Sequence, residues 1–450
     1  MPSFQLVNFK GDLFATTFCF GAQAIIRLAS SLILTRILLP EAYGIITIIL
    51  SIAVVVALIA DTNVNLFIIR EENAEQPRYL DTAWTLQFGR AVINTAVLFL
   101  FAPVIASFIY HIPALASPLR VYSLSFLITG FQSMSFPIAV RRKQARVIMY
   151  SELAAAFIST SFSIVYCYYS RNFWGIIYAM LLNNLLMSGL SHQFYRELRP
   201  KLRFDWPAAR QILGFSKFTM PSSLLTLALG QFDKIVFLRL FDLRLLGIYG
   251  LAGSIAGSIE SLITKISQTV LYPRCAHNFR TDRDTLSLKY YSENLKLFLS
   301  ILFLPAAVGG AAQLVVAILY PAGYAQAGAL LQAFMLRAAL LSFAAPAEDL
   351  LIATGEYKVI LHGNIFRAIG MVGASLAGYY CFGFMGFVYG TALSGLPPLV
   401  YYLWMQYSKR LLIVKYEFYK AGFALVVAAS AYLTGNLLLA VWPSVRMRIQ

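Results

Sequence analysis

Long apolar runs separated by short polar breaks make up almost the whole chain. A helix needs about 20 mostly apolar residues to span a bilayer. By that ruler thirteen runs qualify, near 13–39, 43–69, 84–109, 118–140, 148–170, 173–195, 214–240, 245–272, 292–319, 326–353, 358–381, 384–407 and 420–442. Almost no residues remain for a soluble domain. The first run is too long for the apolar region of a cleavable leader and has no A-x-A-like end, so it reads as the first spanning helix. The pattern predicts an all-α polytopic membrane protein.

The breaks hold the charge, and they hold it unevenly. One alternate set contains Arg70 and Arg78, then Arg141, Arg142, Lys143 and Arg146, then Arg196, Arg199, Lys201, Arg203 and Arg210. It continues with Arg274, Arg280, Arg283 and Lys289, then Lys358, then Lys409, Arg410 and Lys415. The other set has only Arg120, Arg171 and Arg244. Basic residues accumulate on the cytoplasmic side, so the expectation is a cell inner (plasma) membrane protein with a cytoplasmic N-terminus. The thirteenth run then leaves "PSVRMRIQ" outside, against the bias.

Composition narrows the classes further. The chain is 59% hydrophobic and 12% charged, about half the charge of a soluble domain, and its mean hydropathy is +0.70. A net charge of +16 would suggest nucleic acid in a soluble protein. Here it is spread over short loops, and no compact basic domain exists to bind nucleic acid. Cys19, Cys167, Cys275 and Cys381 form no C-x-x-C, and His111, His192, His277 and His362 are scattered. Neither a disulfide framework nor a metal site is expected. No phosphate-cradling, zinc-protease or nucleophile-elbow motif occurs, so no enzyme and no cofactor are read.

One short stretch recurs. "LTRILLPEAYGI" (Leu34–Ile45) aligns without gaps on "FLRLFDLRLLGI" (Phe237–Ile248), with Arg36/Arg239 and Gly44/Gly247 both offset by 203 (239 − 36 and 247 − 44). Each follows one apolar run and precedes another. Gly suits a tight turn, and Arg at that place snorkels to the interface. Parallel repeats of this kind are a transporter architecture, with the substrate between the lobes. The basic "RELRPKLRFDWPAARQILGF" (Arg196–Phe215) reads as the hinge. The expected organisation is therefore an N-terminal six-helix lobe over 1–195, a cytoplasmic linker over 196–213, a C-terminal six-helix lobe over 214–407, and an extra helix and tail over 408–450.

The stretch "LTRILLPEAYGIITI" resembles the first helix end, turn and second helix of the polysaccharide and O-antigen flippases, the polysaccharide-transporter branch of the multidrug/oligosaccharidyl-lipid/polysaccharide exporter superfamily. "ALIADTNVNLFIIREE" (Ala57–Glu72), "LDTAWTLQFGRAVINTAVLFLFAPVIA" (Leu80–Ala106) and "SFPIAVRRKQARV" (Ser135–Val147) continue the likeness. "FDKIVFLRLFDLRLLGIYGLAGSI" (Phe232–Ile255) matches best, followed by "TVLYPRCAHNF" (Thr269–Phe279) and "ILYPAGYAQAGALLQAFML" (Ile318–Leu336). The resemblance covers about residues 8–410. Members usually have 12 or 14 helices, so thirteen departs from the family pattern after Lys409. The resemblance implies a lipid-linked oligosaccharide as substrate. It further implies membrane lipids, and polymerase and chain-length proteins of the same pathway, as partners.

Charges at membrane depth are the informative residues, since each costs roughly 2.5–3.5 kcal/mol on insertion scales unless paired or wetted. Arg27, Lys265, Arg337 and Arg367 are such cations. They either line a water-filled cavity or pair within the bundle. A lipid-linked sugar, as the resemblance implies, carries a pyrophosphate, and Arg offers it a bidentate fork. Asp61, Asp233 and Glu260 are the acidic candidates for ion coupling, with helix-pairing as the structural alternative. In the family pattern the Asp at 233 is a regular feature of the seventh helix. Glu348 and Asp349, near a cytoplasmic helix end, suggest a solvated or gating role. The aromatic "YCYYSRNFW" and "YYLWMQY" stretches fit interfacial belts.

The reading is a flippase that moves a polyprenyl-pyrophosphate-linked oligosaccharide from the inner to the outer leaflet by alternating access, for exopolysaccharide or O-antigen synthesis. Two alternatives stand beside it. A multidrug or small-solute antiporter on the same fold would favour acidic cavity walls. A membrane polymerase or glycosyltransferase would need a large outer loop, and every outer loop here is short.

Overall fold

The computed structural model describes residues 9–59, 63–71, 73–142, 144, 146–195, 200–214, 230, 232–233, 242–281, 283, 285–356 and 358–441. Among them the regular structure is helical and no strand occurs. A chain of this hydropathy has to satisfy its backbone N–H and C=O groups within each segment, and the helix does so. Among the described residues nine helices are long and apolar enough to cross a membrane, or up to ten if Pro113–Gly130 and Ser135–Arg141, bent by 54°, form one span. Most of the expected run 214–240 lies outside the described residues, as do Asp61 and Arg239.

Two compact units divide the chain, Met1–Leu243 and Arg244–Gln450. In the first, α1 (Phe9–Ile37) and α2 (Pro40–Ile59) are joined at the quoted turn. Pro40 opens α2 with its fixed φ and missing N–H, and Glu41 sits at the positive end of the helix dipole. The short α3 (Val64–Arg70) follows, then α4 (Pro77–Val104), α5 (Ala116–Gly130), α6 (Ser135–Arg141), α7 (Arg146–Ser170) and α8 (Trp174–Ser191). Helix α4 packs on α5, α7 on α8, and α1 on α7. The α7–α8 hairpin turns at Arg171, in the left-handed region at φ 49°. Gly175 closes it, because a Cβ there would meet the Cys167 sulfur at 2.6 Å.

The basic connector is docked rather than loose. Asp81, on the first turns of α4, accepts a hydrogen bond from the Lys201 backbone N–H through Oδ1 (2.7 Å). The Thr82 hydroxyl accepts from the Asp205 N–H (3.1 Å), and the Thr85 hydroxyl donates to the Arg203 carbonyl (2.9 Å). A helical stretch, α9 (206–214), places Ala208 and Ile212 in a buried cluster with Val64, Phe67, Ile68, Leu80 and Ile138. The Tyr79 hydroxyl donates to Gln211 Oε1 (2.7 Å). Beside this cap the Arg142 guanidinium grips Glu75 through both nitrogens, Nε at 3.0 Å and Nη2 at 2.6 Å.

The second unit runs through α10 (Leu243–Ile266), α11 (Tyr272–Thr281), α12 (Leu286–Gly310), α13 (Ala312–Leu319), α14 (Ala327–Ala353), α15 (Lys358–Leu393), α16 (Leu396–Ser408) and α17 (Val414–Val441). Helix α14 is its hub, packing on α11, α12, α13, α15 and α16. Helix α15 is two limbs, as the separate runs at 358–381 and 384–407 anticipated. It reverses at Gly383, whose φ 62°, ψ −140° is outside any helix. The limbs then run so close that a Cβ on Gly386 would stand 2.0 Å from the Gly378 carbonyl oxygen. Helix α17 lies along α12. Its Lys420 is buried against Glu417 (2.7 Å), with the Phe298 ring centroid at 4.7 Å and that of Phe343 at 5.2 Å.

Candidate functional site

Three helices of the first unit each turn one face toward a common space. On α1 the stripe is Gln23, Arg27, Ser30 and Leu34; on α7 it is Glu152, Ala156, Ser159 and Ser163; on α8 it is Ile176, Met180, Asn183 and Met187. Each steps by four, three or four residues, which keeps side chains on one helical face. With Leu50 of α2 and Tyr122 of α5 they line a cavity of about 660 Å³. That is within the range of about 300–1,000 Å³ typical of small-ligand sites.

The lining is amide- and hydroxyl-rich and carries both signs of charge. Gln23 Nε2 donates to Glu152 Oε2 (3.2 Å), joining α1 to α7. The Ser159 hydroxyl donates to Asn183 Oδ1 (3.4 Å), joining α7 to α8. Arg27 lies one turn from Gln23 and is exposed to the cavity. Donors and acceptors of this kind match sugar hydroxyls, and the guanidinium supplies a fork for phosphate or carboxylate oxygens.

The second unit holds a tighter cluster. Its stripe on α14 is Arg337, Leu341, Ala344 and Glu348, at the same spacing. Glu260 of α10, Asn364 and Arg367 of α15 and Tyr402 of α16 complete a space of about 70 Å³. Arg337 meets Glu260 bidentately, Nε to Oε1 at 2.7 Å and Nη2 to Oε2 at 3.3 Å. Both side chains are mostly buried, 18% and 19% exposed. Glu348 and Tyr402 face each other across this space, and Arg367 stands within electrostatic reach of both and of Glu260.

The structure sorts the candidates from the sequence. Arg27 lines the first cavity; Arg337 and Arg367 line the second. Glu260, read as an ion-coupling carboxylate, and Arg337, read as a cavity cation, are each other's partners. Lys265 is half-buried on α10 and is not among the residues lining that space. Asp233 is buried, Asp61 falls outside the described residues. The solvated role expected for Glu348 and Asp349 is corrected. Asp349 is buried and accepts a hydrogen bond from the Ser267 hydroxyl, and Glu348 faces the cluster. Both are one helical turn or more inside α14, and neighbouring helices cover that end. Gln23 and Asn183 were not singled out by sequence reasoning, and Tyr402 was read only as part of an interfacial aromatic belt. The signal was present in the polar residues repeating at helical spacing inside apolar runs. Among the described residues no group of His, Cys, Asp or Glu is arranged to hold a metal ion.

Comparison with known proteins places the fold. A family model described as polysaccharide biosynthesis protein matches residues 33–329. Amylovoran biosynthesis protein AmsL of Erwinia amylovora is 23% identical over 270 residues, covering 59% of this chain and 69% of that protein. The lipid II flippase MurJ, in an inward closed conformation, aligns with a TM-score of 0.64 at 13% identity, over 95% of this chain and 98% of its own. An inward-facing multidrug resistance MATE family transporter of the MOP superfamily aligns at 0.63 and 16%, over 86% and 94%. The chain thus has the all-helical fold of these membrane transporters, as a multi-pass membrane protein.

Proposed function

The chain belongs to the polysaccharide biosynthesis protein family, and from that premise we propose that it flips a polyprenyl-pyrophosphate-linked oligosaccharide from the inner to the outer leaflet of the inner membrane. The observation that carries the reading is the polar cavity of the first unit. Polar side chains at membrane depth are costly, yet three otherwise apolar helices turn amides, hydroxyls, Glu152 and Arg27 into one space. Arg27 takes oxygens of the pyrophosphate, and the amides and hydroxyls take the sugar. The lobes over 1–195 and 214–407 alternate access, with the basic loops in the cytoplasm. No covalent bond is broken; a proton, cation or substrate gradient drives the cycle, with Asp61, Asp233 and Glu260 as candidates for coupling. The exported unit passes to the polymerase of the same pathway. A multidrug antiporter is the second reading; against it, the cavity carboxylate Glu152 is already engaged by Gln23, whereas the Arg27 guanidinium favours an anionic head group.

The test is export by cells that carry Arg27→Ala, Arg27→Lys or Asn183→Leu in place of the wild type. Surface glycan should be lost in Arg27→Ala and Asn183→Leu at near-normal protein level. Arg27→Lys should retain part of it, because the charge survives and the fork does not. Unchanged glycan in Arg27→Ala would remove the cavity from the mechanism.

A further inference from the structure

The second unit carries a slot unlike either polar cavity. Helix α16 packs on α14 and α15, while α17 packs on α12 and α13. Between α16 and α17, with α14 as the floor, a space of about 420 Å³ opens. Leu340 and Phe343 form the floor, Leu399 and Leu403 one wall, Phe418 and Ala421 the other. The carboxylate Glu417 also reaches the lining. It is already held by Lys420 Nζ (2.7 Å) and by the Tyr291 hydroxyl (2.9 Å), so it presents no uncompensated charge to the slot.

The lining offers water no hydrogen-bond partner apart from the already engaged Glu417, and apolar cavities without such partners stay dry and take up apolar ligands. All three helices read as membrane spans, so hydrocarbon is the available filler. Leu412 and Val414 close the slot where the chain turns from α16 into α17, and the charge there is one-sided. The turn folds back over the end of α16, with the Leu411 N–H on the Gln406 carbonyl (2.8 Å) and Arg410 at φ 57°. Lys409 is held by Glu356 (2.5 Å). Arg410 and Lys415 are exposed, and neither has an ion-pair partner among the described residues. Tyr407, four residues beyond Leu403 on the same helix face, is exposed at that level, as interfacial aromatics are.

We propose that this slot, with Arg410 and Lys415, binds one anionic phospholipid, an acyl chain in the slot and the phosphate at the two cations. The assignment stands apart from the transport reading, since it uses none of the residues of either polar cavity. It makes the composition of the leaflet that faces the 409–415 turn a determinant of how firmly α17 is seated beside α16.

Native mass spectrometry of the full chain in a neutral detergent tests this, with dioleoyl-phosphatidylglycerol and dioleoyl-phosphatidylcholine supplied in equal amounts. The wild type should retain one phosphatidylglycerol in preference. Each basic residue near a membrane surface attracts anionic lipid enough that Arg410→Gln/Lys415→Gln should lower the preference about thirty-fold. Leu403→Trp, which fills the slot, should lose both lipids. The glutamine variant changes only exposed side chains, so it decides the question even if Leu403→Trp fails to fold. Equal retention of the two lipids by the wild type would overturn the proposal, as would an unchanged preference in the glutamine variant. Displacement of phosphatidylglycerol by equimolar undecaprenyl phosphate would also overturn it, reassigning the slot to a polyprenyl chain.

Discussion

Replacing Arg337 by Ala should damage the fold before it damages transport. The guanidinium is bidentate on Glu260, and the two side chains are 18% and 19% exposed. Exposed pairs contribute little, about 0.2–1 kcal/mol, whereas removing one partner of a sealed pair costs about 3–5 kcal/mol. Glu260 retains some water, and Arg367 remains within electrostatic reach of it. Arg337→Ala should therefore cost about 2–3 kcal/mol, between the two limits. Glu260→Gln/Arg337→Met removes both charges at similar volume and should stay within about 1 kcal/mol of the wild type. The assay is a double-mutant cycle in mixed micelles, with unfolding by added dodecyl sulfate followed through the five tryptophans. A coupling energy above about 1 kcal/mol is expected for residues in contact. Two single variants that add within about 0.3–0.5 kcal/mol, as distant sites do, would refute the pair as a structural element. Arg337 would then return to the cavity-cation role that sequence alone suggested.

Three further outcomes follow from other parts of the molecule. Gly386→Val should prevent accumulation of folded protein, because its Cβ has the Gly378 carbonyl 2.0 Å away; size-exclusion of a fluorescent fusion reports it. The Glu75 carboxyl is held below its ordinary value, chiefly by the Arg142 hydrogen bond. Its contribution to stability is present above the ordinary carboxylate value and lost as pH falls through the lowered one. Hydrogen exchange at residues 71–76 should thus rise on acidification below about pH 4.3, a step that Glu75→Gln removes. Backbone amides of Lys201 and Asp205 should exchange slowly in the wild type and much faster in Asp81→Ala/Thr82→Ala, which lacks both acceptors; equal rates would mean the connector is not docked.

How much of this was legible in the sequence depends on the range of the interaction. The spans were legible because membrane insertion selects on local hydropathy, and the break between 381 and 384 coincides with the reversal at Gly383. The turn at Pro40 was legible because Pro and Glu act within one helical turn of themselves. The pairing of Arg337 with Glu260 was not, since 77 residues separate them and only α10-against-α14 packing selects that partner from several acids. Lys420 gave no warning either. It opens the 420–442 run, and nothing local announces that Phe298 and Phe343 reach it from α12 and α14. The docking of the connector was not legible, because the two apolar residues that enter the buried cluster, Ala208 and Ile212, are outnumbered by Arg and Lys.

The docked connector also sets an order of events at the ribosome. Val64, Phe67, Leu80 and Ile138 come together when α3, α4 and α6 are in place, but Ala208 and Ile212 complete their cover. Those two residues emerge 70 and 74 positions after Ile138 (208 − 138 and 212 − 138). During that interval the growing chain carries this cluster without its cover, at the stage when α7 and α8 are still being inserted. Codon usage or chaperone binding that stretches this interval prolongs the exposure. A chain truncated at 195 is fixed in it, whereas one ending at 214 carries its own cover.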